Sequence, residues 1–294
     1  MTDWSALSAR TSMASHRLVG WIYWDPPAIA AYEALGIPNG FGYYIASRAA
    51  PLAPAGADVV AAAFGSIHPG FIAAALEMCE AHTTWEAVAH ARNDAVAAGL
   101  RTHAPEVCEP LGAMAEPLWR AADQLPVSAR PLYAAHRGAE RPADQLVSAW
   151  LAVNCIREWR GDTHWAILAA EDVSGTQAGI LHNAHLNYPP DWIPRSRGAD
   201  DAALDAAWTD LAARGLATSD RPGERAINAA GLRFRQDIED RTDRLSEHAW
   251  RTLGAEDAEA FVDLVAPVGE RLLARIDETA GPDWMPAART RRTT

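Results

Sequence analysis

Five polar residues crowd into eight positions of "CIREWRGDTHWAIL", Cys155 to Leu168: Arg157, Glu158, Arg160, Asp162 and His164, with long apolar runs on either side. Guanidinium groups grip carboxylates and phosphates, and a carboxylic acid or an imidazole can exchange a proton with a reacting centre. Two chemistries are open to the segment: holding an anionic or carbonyl-bearing molecule, or acid/base work. Asp162 and His164 stand two positions apart and so lie on different faces of a helix, which keeps Asp162 from serving His164 as a triad member would. A catalytic reading therefore needs Asp162, His164 and a partner from another segment, such as His68, in a hydrolase, lyase or nucleobase-removing activity. The triplet Arg160-Gly161-Asp162, standing alone, would suggest an exposed adhesive turn.

The element that carries these residues argues against that turn. From Ala143 the pattern "ADQLVSAWLAVNCIREWRGDTHWAILAAEDV" is long enough for about eight helical turns. Steps of three or four from Leu146 reach Trp150, Val153, Arg157, Gly161, His164 and Leu168, a stripe apolar at both ends and polar in its middle. Gly161 then lies within the helix, where a ligand or a second helix can approach closely. Ion pairs on a solvated face would account for Glu158 and in part Arg160. They do not account for an arginine, a glycine and a histidine interrupting an inward stripe, because a buried charge is costly unless paired or bound.

The remaining sequence sets the frame. With 294 residues, about half of them hydrophobic, the chain can bury a large core. It has no apolar run of membrane-spanning length and no signal-like apolar segment in "MTDWSALSARTSMASHR", so a cytoplasmic location is expected and no membrane partner. Cys79, Cys108 and Cys155 form no CxxC pair, and they read as buried free thiols. No HxxxH or HExxH spacing links the histidines, and GxGxxG, GxxxxGK[ST] and GxSxG are absent, so no metal and no cofactor is expected. All 26 basic residues are arginine, which with the heavy alanine usage resembles the bias of a GC-rich genome. Twelve tryptophans and six tyrosines supply core and also the flat walls of a pocket.

Apolar residues three and four apart recur throughout, so the fold is expected to be mainly α. The pattern predicts a helical half over 1–140, with room for a degenerate winged helix, then a long central helix over 141–172. A winged helix-turn-helix with a small β wing follows over 173–254, then a terminal helix over 255–280 and a frayed basic tail over 281–294. Within the first half Thr84 should start a helix that Gly99 ends, and "PVSARPLYAAHRGAERP" reads as a connection. The wing tip falls at Asp220 to Gly223. The helix before it would enter the major groove of DNA, yet it carries Asp200, Asp201, Asp205 and Asp210 against Arg214 alone. With a net charge of −12, DNA is disfavoured as a partner, and weak contact would fall to Arg195, Arg197, Arg214, Arg221 and Arg225. "FVDLVAPVGERLLARI" is a candidate seam for a homodimer.

Several segments together resemble a family of actinobacterial MarR-like winged-helix proteins, largely without assigned function. These are "YYIASRAAPL", "FGSIHPGFIAAAL", "ARPLYAAHR", "IREWRGDTHWA", and "WTDLAARGLAT" through "DIEDRTDRLSEHAW". The resemblance implies a winged-helix fold with an added helical amino-terminal half, and it matches the family's polar motifs at Arg48, His68, Arg160, Gly161, Asp162 and His164. Trp159, where the family tends to have histidine, and the residue before His68 depart from it. The expected function is ligand-responsive regulation, through an interior pocket for a small aromatic or anionic molecule. Trp150, Trp159, Trp165 and Tyr43 or Tyr44 would wall it, Arg48 with Arg157 or Arg160 would grip an anionic or carbonyl group, Asp162 would orient His164, and His68 would stand nearby.

Overall fold

In the computed structural model, which describes residues 2–219, 221 and 223–292, helices follow one another with little else between them. The first half comprises α1 (Trp4–Gly20), α2 (Pro26–Glu33), α3 (Tyr43–Ala49), α4 (Ala57–Phe64), α5 (Pro69–His82), α6 (Trp85–His103), α7 (Pro105–Ala113), α8 (Ala115–Asp123) and α9 (Pro131–Arg137). The central helix is α10 (Gln145–Ala170). Beyond it come α11 (Gly175–Leu186), α12 (Trp192–Ser196), α13 (Asp201–Ala213), α14 (Ala229–Leu253) and α15 (Ala255–Thr279).

Local chemistry sets most starts. Proline occupies the first turn of α2, α5, α7 and α9, where its missing N–H costs nothing. Asp144 accepts from the Leu146 and Val147 N–H groups at the head of α10, and Ser174 with Gln177 forms a reciprocal capping box on α11. Gly99 does not end α6. The helix runs on to His103 because the bare Cα at Gly99 faces Trp21, whose ring would stand 2.3 Å from an added Cβ. The segment read as a connection holds α9, and Asp162 of α10 accepts the Tyr133 N–H in its first turn at 2.9 Å.

α10 is buried on nearly every side from Leu146 to Ile156 and packs against α7, α8, α9 and α14. The helix α1, which the polar amino terminus did not advertise, buries Ser8, Thr11, Ser12 and Ser15, small side chains that allow close approach to α10, α14 and α15. Its partner face on α15 is the proposed dimer seam, where Phe261, Val265, Val268 and Leu272 are all at most 2% exposed. That seam is covered within one chain, so it is not offered to a second copy.

Two further expectations change. The small β wing is reduced to one isolated antiparallel bridge, Ala217 to Ile227, extended by Thr218 N–H to Ala226 O and Asn228 N–H to Leu216 O. No regular strand occurs among the described residues, and Asp220 and Pro222 of the wing tip lie outside them. The basic tail is fastened: the Arg292 N–H donates to Leu186 O at 3.1 Å, and the Arg292 guanidinium lies 3.9 Å from the Tyr188 ring centre. No helix among the described residues is long and apolar enough to cross a membrane.

Phe261→Ala should lower unfolding stability by about 3–5 kcal/mol in chemical denaturation, the usual cost of emptying a core aromatic site. Its mass in solution should match the parent chain, and a variant that changed oligomeric state at unchanged stability would contradict the intrachain packing.

Candidate functional site

α10 leaves its core setting at Arg157. From there Arg157, Arg160, Gly161, His164, Trp165 and Leu168 line one wall of a cavity of about 480 Å³, within the usual range for small-molecule sites. The opposite walls come from α1, from α3 and α4, from α11 and α14, and from the fastened tail. The polar middle of the stripe thus faces one space, while Leu146, Trp150 and Val153 of the same stripe belong to the core.

Charge compensation organises the walls. Glu158, 1% exposed, receives Arg48 through two hydrogen bonds of 2.8 and 2.6 Å and Arg157 through one of 2.6 Å. Burial alone would raise its pKa, but the two guanidiniums outweigh that and hold the carboxyl well below the usual range. The Arg48 guanidinium also donates to the Tyr44 hydroxyl at 3.0 Å and lies 4.4 Å from the Phe64 ring centre. Arg160 reaches across to α14, where it pairs with Glu239 and, at 2.8 Å, with Asp243. Arg235, one turn before Glu239, pairs with it at 3.0 Å and donates to His182 Nδ1 at 3.2 Å.

The cavity histidines are neutral at pH 7. Burial lowers His164 to about 4 and takes His16 and His182 well below their ordinary value, with neighbouring arginines adding to the effect. The Thr242 hydroxyl gives its proton to Ile238 O at 2.7 Å, so His164 Nδ1–H is the donor of the 3.0 Å bond to Thr242 and Nε2 is left as an acceptor. His16 and His182 accept at Nδ1 from Arg157 and Arg235, which leaves an N–H at Nε2. The wall therefore offers both donors and acceptors beside its cations.

Of the residues singled out from sequence, Tyr44, Arg48, Arg157, Arg160, Gly161, His164 and Trp165 meet at the cavity, and Trp150, Trp159, Tyr43, His68 and Asp162 do not. Trp150 is fully buried with its indole N–H on Leu18 O, and Trp159 donates to Pro126 O on the far side of α10. Tyr43 is buried against Tyr32. His68 is an exposed cap whose Nδ1 accepts the Gly70 N–H. Asp162 does not orient His164: it lies on another face of α10 and caps α9. The catalytic set Asp162, His164 and His68 is accordingly not assembled. His16, His182, Arg235, Glu239 and Asp243 escaped the sequence reading, although the last three recur every fourth residue along α14 and so mark one charged face.

The arginines named for DNA divide in the same way. Arg195 pairs with Asp201 and Arg225 with Asp205, both on the exposed face of α13, while Arg214 holds the Glu171 and Asp172 carbonyls at the end of α10. Arg221 is exposed, and Arg197 turns into the cavity. Among the described residues no group of three or more histidines, cysteines and carboxylates could hold a metal ion.

Two contacts tie the first half to this region beside the cavity. Gly65 and Gly175 meet backbone to backbone, with the Gly65 carbonyl oxygen only 2.1 Å from where a Gly175 Cβ would stand. The His68 N–H donates to Arg197 O at 2.8 Å. The chain is a member of a helix-turn-helix family, whose family model matches residues 8–279. No curated protein and no solved structure matches it.

Two substitutions check these assignments. Glu158→Gln should cost about 3–5 kcal/mol of stability, because two arginines lose their shared counter-charge. For Asp162, burial pushes the folded-state pKa up to about 7, against about 3.9 in an unfolded chain. The unfolded state binds fewer protons between those values, so this carboxyl makes stability fall as pH rises from about 4 to about 7. Asp162→Asn keeps an acceptor for the Tyr133 N–H and should remove that slope, whereas Asp162→Ala should lose about 1–3 kcal/mol at pH 5. Identical pH profiles for parent and Asn variant would exclude the assignment.

Proposed function

We propose that this helix-turn-helix family member is a ligand-responsive regulator, or a descendant of one, that takes a small aromatic or anionic molecule into the cavity between α10, α11 and α14. One observation carries the reading. The walls that hold Arg160, Arg235, His164 and His182 are α10, α11 and α14, and Arg160 ion-pairs α10 to α14, so an occupant changes the charge balance between those two helices directly. Tyr44, Phe64 and Trp165 provide aromatic walls, and the arginines provide grip for an anion.

The finer winged-helix, MarR-like reading is supported by the order α13, antiparallel bridge, α14, with the turn between residues 217 and 227 in the place of a wing. Contact with DNA through α13 is opposed by its exposed face, where Asp201, Asp205 and Asp210 stand among alanines. We assign any contact with DNA to the bridge segment and Arg221, with few phosphates neutralised.

Fluorescence titration against a metabolite library should give saturable quenching by a subset of small aromatic or anionic compounds, and Trp165→Phe should remove most of it. Absence of saturable quenching by any compound, with the protein folded, would overturn the reading. Binding to the protein's own promoter DNA should be weak and lost with salt, with a slope of roughly −1 to −3 in log K against log salt for one to three phosphate contacts. No binding even at low salt would remove the DNA-regulatory role.

A further inference from the structure

The cavity wall carries more positive than negative charge, and the surplus has an address. Arg48, Arg157, Arg160, Arg197 and Arg235 come from the helical walls and the loop after α12, against Glu158, Glu239 and Asp243. Arg48 and Arg157 share Glu158, and Arg160 and Arg235 share Glu239 with Asp243 in support. Arg197 pairs with no carboxylate among the described residues. Among those residues its one side-chain hydrogen bond goes from one terminal nitrogen to the Ser66 hydroxyl at 2.9 Å. The tail adds Arg289, which is paired outside the wall with Asp277, and Arg291.

Arg197 is also held in place. Its carbonyl accepts from His68, and the Ser66 contact orients the guanidinium, leaving four of five N–H donors without a partner among the described residues. Burial and the Arg48 guanidinium both press its pKa downward, the mark of a cation without its counter-charge. Around the same corner stand Tyr44, Phe64 and Trp165, together with the Nε2–H of His182. A positioned, uncompensated arginine beside a neutral donor and three aromatic faces is suited to an organic anion.

Building on the reading of this cavity as a ligand site, we propose that its ligand is a doubly charged organic anion, a phosphate monoester or a dicarboxylate, with the charged end on Arg197 and an aromatic or apolar body against Tyr44, Phe64 and Trp165. Two negative charges match the two arginines by which the helical walls and that loop exceed their carboxylates. A neutral or singly charged molecule would leave part of the surplus buried and unanswered.

The full chain can be titrated with phenyl phosphate, phthalate, benzoate and benzyl alcohol at pH 7.5, read by tryptophan fluorescence and calorimetry. Phenyl phosphate or phthalate should bind at least about tenfold more tightly than benzoate, with benzyl alcohol weakest, as expected when charge-assisted bonds dominate. The order of the first two separates phosphate from dicarboxylate. Arg197→Ala should cost the dianions about tenfold or more and leave benzyl alcohol unchanged. Its melting temperature should equal or exceed that of the parent, a readout that a merely structural arginine would move the other way. Ser66→Ala, which frees Arg197 without removing it, should weaken the same dianions by a smaller factor. Equal affinity for neutral and doubly charged probes, or dianion binding indifferent to Arg197→Ala, would overturn the assignment while leaving the cavity a ligand site. No binding by any of the four would overturn both.

Discussion

A carboxylate stays ionised inside a helical protein only where cations surround it, and Glu158 meets that condition by drawing Arg48 and Arg157 onto itself. The pairing clamps the end of α3 to the middle of α10 and, through Arg48, brings Tyr44 and Phe64 alongside. The cavity exists because this cluster occupies its own volume with polar groups that an apolar core would not accept. Apolar packing closes again on either side of it, in the main core before Arg157 and in the cluster of Ile167, Leu168, Ile180, Leu204 and Leu211 beyond.

A second charged seam, between Arg160 on α10 and the Arg235, Glu239 and Asp243 face of α14, joins two long helices across the cavity. Buried ion pairs contribute little net stability against hydrophobic replacements, but they are exacting about partner and register. A ligand that competes for one of these arginines changes the balance between two long helices. The backbone contacts at Gly65, Gly175, His68 and Arg197 extend that link to the first half of the chain. The outer face of α13 is meanwhile acidic, with Asp201, Asp205 and Asp210 exposed.

Much of the fold was legible in the residues. The central helix, the Thr84 start of α6 and the helices α13, α14 and α15 follow from spacing and capping. The first helix was not legible, because its buried face is made of serines and a threonine whose value lies in being small next to α15. Gly99 looked like a stop and is a contact, since nothing in the neighbouring residues reveals that Trp21 packs there. At the site, Arg157, Arg160 and His164 were found because a polar break in an apolar stripe is a local signal. Asp162 misled because its partner, the head of α9, lies about thirty positions away in a segment that read as loop.

By itself the sequence determined that the chain is mainly helical, that one long helix carries a polar interruption, and that the helix over Asp201–Ala213 is acidic. Each of these depends on neighbours within a few residues, whose geometry the 3.6-residue period makes predictable. Only the tertiary structure decided that Glu158 is the hub of the arginines, that α14 supplies the counter-charges for Arg160, and that Arg197 points inward with no carboxylate among the described residues to meet it. Those facts depend on which distant helices pack together, and the compensation of a buried charge is settled across that contact, not along the chain.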